Sequence, residues 1–355
     1  MNIKIKWLRD QLRSQNLQGM IVSNPTNVKY LTGIEAEGVL LITLRENIFI
    51  TDGRYIEAVN TILTIDDEIL VNDRKQLSKD DYASFFMFCE NVGFEEKYVT
   101  YHDYKNMMHM YRVNLMETEG IIENQRNIKD EDEIECIKKA CEITDNCFEH
   151  LKQFIKRGMT EKEIAFEIER YMRLNGADGI SFEPIVASGH NSSMPHAVPT
   201  TRKIKEGDII LLDFGCKYKG YCSDMTRTVF INFIEEEYKT VYDLVLKNNE
   251  MTINDMKEGA NIKILTRNIN DDLKLNGHVA MHSPGHGVGL DVHETPVFTT
   301  NIDNPLKANM VVTVEPGIYV PGRFGIRIED TVLITKGGGM PLTKSPKTYT
   351  IIKSL

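Results

Sequence analysis

The 355-residue chain reads as an α+β protein with a smaller α/β domain over residues 1–125 and a larger domain over 126–355. Three observations predict this. Short β-branched runs alternate with helical patterns in the first third, the sign of an α/β domain. In the larger domain a helical segment recurs at a fixed offset, which predicts a two-fold-like internal repeat. Finally, carboxylates interrupt the apolar, strand-like stretches of that domain, where burial favours Val and Ile.

Trp7, Leu8, Leu12 and Leu17 mark the opening helix. GMIVSNP and GVLLITLRENIFITDGRY follow as apolar runs bounded by Gly, Pro and Asn, as strands are. A further helix is expected over Tyr82 to Cys89. The polar, charged stretch EGIIENQRNIKDEDE reads as the inter-domain connection. Beyond it, Ile134, Ile137, Cys141, Thr144, Phe148 and Leu151 recur at three- and four-residue steps, so one face of a helix is buried. The next helix opens at Thr160 with Glu163 in capping-box spacing and closes at Gly176. That segment, Lys156 to Gly176, aligns with Lys257 to Gly277 at an offset of 101. Both copies share a Lys, a Gly two later, an N-cap residue (Thr160, Asn261), Ile168 with Ile269, and a closing Leu-Asn-Gly. Similar capping alone makes helices look alike; the helix before each copy and the β segments after it argue for duplication.

Composition excludes several function classes. A formal net charge of −10 argues against nucleic-acid and anionic-membrane partners. No apolar run approaches the roughly 20 residues of a membrane span. The opening residues lack the apolar core of a signal peptide. Six cysteines, Cys89, Cys136, Cys141, Cys147, Cys216 and Cys222, contain no C-x-x-C pair and read as free thiols of a cytoplasmic protein.

The chemistry concentrates in five segments: Asp213 in IILLDFG, Asp224 in GYCSDMTRT, His286 in HSPGHGVGLDVHE, Glu315 in VVTVEPGIY and Glu329 in GIRIEDTVLI. Strand alternation puts Ile209, Leu211 and Asp213 on one face, and Asp224, Thr226 and Thr228 on another. A hairpin through the intervening KYKGY turn brings the two aspartates together. Arg327 and Glu329 face one way while Ile326 and Ile328 face the core. Buried carboxylates cost several kcal/mol each unless cations neutralise them. Four of them with one imidazole suit a pair of divalent metal ions of hard to borderline type, Mn²⁺, Co²⁺ or Fe²⁺, with Zn²⁺ also compatible. In HSPGHGVGLDVHE the glycines and proline rule out a helix, so His282 and His286 do not form a helical zinc motif. His282 and His293 alternatively read as core histidines, and His196 as a surface residue after a proline.

With these ligands, and with PHA, HSPGHGVGLDVHE, VEPGIY and RIED around them, the chain resembles the pita-bread-fold dinuclear metallopeptidases. That family holds Xaa-Pro aminopeptidases, Xaa-Pro dipeptidases, methionine aminopeptidases and creatinase. The resemblance covers about residues 130 to 350, with a creatinase-like domain before it. It implies that Asp213 chelates one metal, that Asp224 and Glu329 bridge both, and that His286 and Glu315 complete the other shell. A metal-bridging hydroxide would attack the scissile carbonyl, with Glu315 carrying the proton. His196 and His293 would contact substrate and steady the oxyanion, while His282 and Arg327 would line the prime side. Arg327 points to the proline-directed branch, and the resemblance leans to the Xaa-Pro aminopeptidase. The dipeptidase is the alternative, and a non-catalytic binding module the reading from another class. A homodimer acting on peptides with proline at the second position is expected. Asp52, Arg54 and Tyr55 would either reach a neighbouring subunit's site or form a plain surface turn.

Overall fold

The computed structural model describes residues 2–64 and 68–354, which form two compact units, Met1–Arg126 and Asn127–Leu355. In the first unit a six-stranded sheet runs in the order Ile69–Asp73, Asn47–Thr51, Gly38–Thr43, Gly19–Val22, Asn91–Phe94, Asn114–Glu117. Pairing is antiparallel around Gly38–Thr43 and parallel elsewhere, as helical crossovers demand. The opening helix, Ile3–Ser14, is capped by the Asn2 side chain and buries Ile5, Leu8 and Leu12. Two expectations need correction here. The helix expected at Tyr82–Cys89 lies earlier, at Lys79–Ser84, because Ser78 and Asp81 form a capping box there. The stretch expected to be a connection contains a helix, Ile121–Arg126, with Ile121, Ile122 and Arg126 buried.

Glu95 of this unit accepts from the Ser23 and Asn24 amides and from the Asn27 side chain. Burial nevertheless pushes its carboxyl up to about 7. The folded chain thus holds that proton more tightly than the unfolded chain does. Its contribution is complete below the ordinary value of 4.5 and is lost as pH climbs through about 7. The difference corresponds to roughly 3 kcal/mol. Urea melts at a series of pH values are expected to show that decline in the native chain and a flatter profile for Glu95→Gln. Equal slopes would remove Glu95 as its cause.

In the second unit the repeat is visible element by element. Helices Glu131–Phe154 and Glu161–Leu174 are followed by antiparallel strands Ile185–Ser188, Ile209–Phe214 and Met225–Ile231. Helices Glu236–Asp255 and Ile262–Leu275 are followed by His286–Gly287, Val311–Val314 and Asp330–Ile334, paired in the same order. Even the approach to each second helix recurs, with isolated bridges at Thr160–Lys203 and Asn261–Pro305. The Thr160 capping box is present, with Glu163 reaching back to the cap.

Each helix pair packs chiefly on its own sheet, while the N-terminal parts of Glu131–Phe154 and Glu236–Asp255 reach across to the other half's sheet. Phe148, Ile164 and Ile168 meet Ile210, Leu212 and Val229 in the first half, while Ile253, Ile262 and Leu265 meet Val312, Val314 and Val332 in the second. A third cluster joins them through Ile209, Phe230, Ile326 and Ile328. These strands are buried on both faces, so only their ends are open to bind anything.

Candidate metal centre

All five expected ligands lie at or beside those strand ends. Asp213 sits in Ile209–Phe214, opposite Thr226, and Asp224 immediately precedes Met225–Ile231. The chain between them comes too close for a side chain at Gly215, where a Cβ would stand 1.9 Å from the Ser223 carbonyl oxygen. His286 opens a two-residue strand flanked by Gly285 and Gly287, whose Cβ positions would meet the Thr313 and Thr295 carbonyls at 2.3 and 2.2 Å. The second sheet therefore draws that segment in too tightly for any side chain. Glu315 follows Val311–Val314, and Glu329 lies between Phe324–Arg327 and Asp330–Ile334.

Donor atoms of Asp224, His286 and Glu329 converge within 4.8 Å of one another. His286 Nε2 stands 3.3 Å from Glu315 and 3.7 Å from Asp224. Its Nδ1 faces the Gly287 carbonyl at 3.0 Å, so Nδ1 carries a proton and Nε2 turns toward the carboxylates. Burial opposes charge on this ring, but the Glu315 hydrogen bond and charge prevail and raise its pKa. The position therefore favours a cation: the imidazolium in metal-free protein, or a divalent ion once the Nε2 proton is displaced. Asp213 is held differently, because the Arg327 guanidinium donates to it.

Two oxygens, Asp213 Oδ1 and Asp224 Oδ1, are buried with no hydrogen-bond partner. Burial, and then neighbouring Glu329, Asp213 and Glu315, push Asp224 well above the usual carboxylate range. Glu329 is pushed well up by burial and by Glu315 and Asp213. Burial works the same way on Glu315, but the His286 hydrogen bond and charge outweigh it and hold that carboxyl low. Acids that resist ionising alone, with orphaned oxygens, are what divalent cations would relieve. The donor set fits such ions.

Around this centre His196, His282, His293 and Arg327 all line one cavity of about 910 Å³. The His293 ring lies 4.5 Å from that of His286, edge to face. His282 contacts the Ser283 carbonyl at 2.8 Å and the Tyr319 hydroxyl at 2.9 Å, and burial lowers its pKa, keeping it neutral. Arg327 is 3% exposed, and its guanidinium is taken up by Asp213, Thr226, Tyr319 and the Pro195 carbonyl. It steadies Glu329 through the Thr226 hydroxyl, which accepts from Arg327 at 2.9 Å and donates to Glu329 at 2.7 Å.

Sequence reasoning missed the hydroxyls of Thr226, Thr313 and Tyr319 as site members. Thr313 accepts from the His286 amide at 3.0 Å and lies 3.3 Å from Glu315. The only signal was position, since Thr226 shares a strand face with Asp224 and Thr313 precedes Glu315 by two.

Carboxylates and an imidazole converging from both halves of a duplicated fold make a candidate hydrolytic metal centre. Residues 135–336 match the metallopeptidase family M24, and residues 4–128 match the creatinase/prolidase N-terminal domain. The chain belongs to metallopeptidase family M24 and has its pita-bread fold. It is 33% identical to an Xaa-Pro dipeptidase of Pyrococcus horikoshii, covering 98% of each chain. Among solved structures it resembles an Xaa-Pro dipeptidase from Bacillus anthracis, with 36% identity and a TM-score of 0.93 over 98% of this chain and 99% of that one. An X-Pro aminopeptidase from Thermotoga maritima follows at 32% identity and 0.88, over 97% and 100%.

Proposed function

We propose that the protein is an exopeptidase that cleaves the bond between an amino-terminal residue and proline, as an Xaa-Pro aminopeptidase working with two divalent ions, Mn²⁺ foremost. The observation that carries this is that all five expected ligands line one cavity, with donor atoms of Asp224, His286 and Glu329 within 4.8 Å of one another and one oxygen each of Asp213 and Asp224 left without a partner. Asp213, Asp224, His286, Glu315 and Glu329 would hold the ions. Bound there, the ions would supply Lewis acidity and make water nucleophilic near neutral pH. Glu315, held ionised beside His286, would take up a proton at its carboxylate and deliver it to the leaving nitrogen. His196 and His293 line the cavity and would orient the scissile carbonyl. His282 and Arg327, locked through Tyr319, shape the side that receives proline.

A cavity of about 910 Å³ that opens to solvent is compatible with a chain longer than a dipeptide. A second reading, the Xaa-Pro dipeptidase, is favoured by the relatives of that name, which match over nearly the full length. Chelated protein given Mn²⁺ is expected to cleave Ala-Pro-Ala and to leave Ala-Ala-Ala intact. Turnover of Ala-Pro alone would transfer the proposal to the dipeptidase, and efficient cleavage of Ala-Ala-Ala would end the proline reading. Absence of stoichiometric metal and of turnover would point to a binding module. A cytoplasmic homodimer completes the proposal. Six free thiols support the compartment, and sedimentation velocity tests the dimer. Among the described residues no helix is long and apolar enough to cross a membrane.

A further inference from the structure

Behind the proposed ligands runs a chain of buried and half-buried polar groups that no role above employs. Arg227 is 1% exposed. One terminal nitrogen donates to the backbone carbonyls of Thr226 and Glu329, and the other to Asp330 Oδ1 at 2.7 Å and to the Ser345 carbonyl at 2.8 Å. Asp330 also accepts from Thr343 at 3.0 Å and, through Oδ2, from Lys347 Nζ at 2.8 Å. Lys347 donates onward to Asn249 Oδ1 at 2.8 Å. The Asn249 amide then reaches the Val314 carbonyl at 2.9 Å and the Ile328 carbonyl at 3.4 Å.

The destinations share one property. Val314 precedes Glu315, Ile328 precedes Glu329, and the Glu329 carbonyl belongs to a ligand itself. Thr226 carries the hydroxyl that binds the Glu329 carboxylate. Burying Arg227 with Asp330 and adding the half-buried Lys347 is a poor way to gain stability, because an apolar replacement of similar volume does as well or better. What such a chain does supply is position: rigid donors fix the peptide planes from which ligands project. Groups behind metal ligands act in this way, and their loss is read in metal affinity.

We propose that Arg227, Asp330, Lys347 and Asn249 form one positioning chain that presets Glu315 and Glu329 for metal. This rests on the reading of those glutamates as ligands. The test uses the full-length, metal-stripped protein titrated with Co²⁺, followed by visible absorption and calorimetry, with thermal unfolding measured in chelator. Lys347→Met is expected to weaken Co²⁺ binding about 10- to 100-fold while the chelated protein keeps a cooperative transition. Lys347→Arg is expected to recover part of the affinity. Thr343→Val, a milder lesion on Asp330, guards against a variant that fails to fold and is expected to weaken binding several-fold. Unchanged Co²⁺ affinity in Lys347→Met and Thr343→Val, whatever happens to the melting temperature, would overturn the proposal and leave an ordinary structural ion pair. Should the native chain itself bind no Co²⁺, the ligand reading fails and takes the positioning chain with it, a result distinct from loss in the variants alone.

Discussion

Asp224→Asn will abolish peptide hydrolysis, lowering kcat/KM by more than about 100-fold, and will leave the metal-free protein at least as stable as the native chain. The two effects have opposite signs for one reason. In metal-free protein, Asp224 is an acid that burial and three neighbouring carboxylates push well above its usual range, with one oxygen unpartnered. Asparagine keeps the shape and removes that burden. With metal present, the same change deletes a donor that stands with His286 and Glu329 within 4.8 Å. Loss of a direct ligand should exceed the 10- to 100-fold that loss of a supporting group typically brings. Steady-state kinetics under saturating Mn²⁺ and melting in chelator measure both halves. Retained turnover would remove Asp224 from the ligand set.

Arg327→Met is expected to destabilise the chelated protein by about 3–5 kcal/mol, the usual consequence of leaving a buried charge without its partner. Arg327 stays charged in spite of burial because Tyr319, Asp213, Glu315 and Glu329 surround it. Its removal strands Asp213 and leaves the Tyr319 hydroxyl, the Thr226 hydroxyl and the Pro195 carbonyl each short of a donor. Divalent metal should then narrow the gap, because a cation on Asp213 offsets part of what the arginine supplied. Urea unfolding with and without Mn²⁺ checks this. A deficit below about 1 kcal/mol in chelator would show that Asp213 finds relief elsewhere.

The centre was legible in the sequence because acids are conspicuous in strands otherwise made of Val, Ile and Leu. The repeat was legible because the caps at Thr160 and Asn261 and the closing Leu-Asn-Gly obey local rules, which survive without tertiary context. Arg227 and Asp330 were not legible, since a charge within a strand ordinarily reads as a solvated face. Their burial depends on partners such as Lys347 and Ser345, far along the chain. Hydroxyls such as Thr226 and Thr313 are common strand residues and carry no mark of function. The helix at Ile121–Arg126 was hidden for a related reason. Its polar residues suit a linker, and only tertiary packing buries Ile121 and Ile122.

The division of the ligands between the two halves bears on how the molecule comes into being. Asp213 and Arg327 meet across 114 positions, Thr226 and Glu329 across 103. Each half can gather its own helices and strands from shorter-range contacts, but neither contains a centre. Closing loops of that size carries an entropic cost that must be met before the contacts form. Competence for chemistry is therefore a late event in the life of the chain. A polypeptide emerging from synthesis stays inert toward peptides until the second half has docked upon the first.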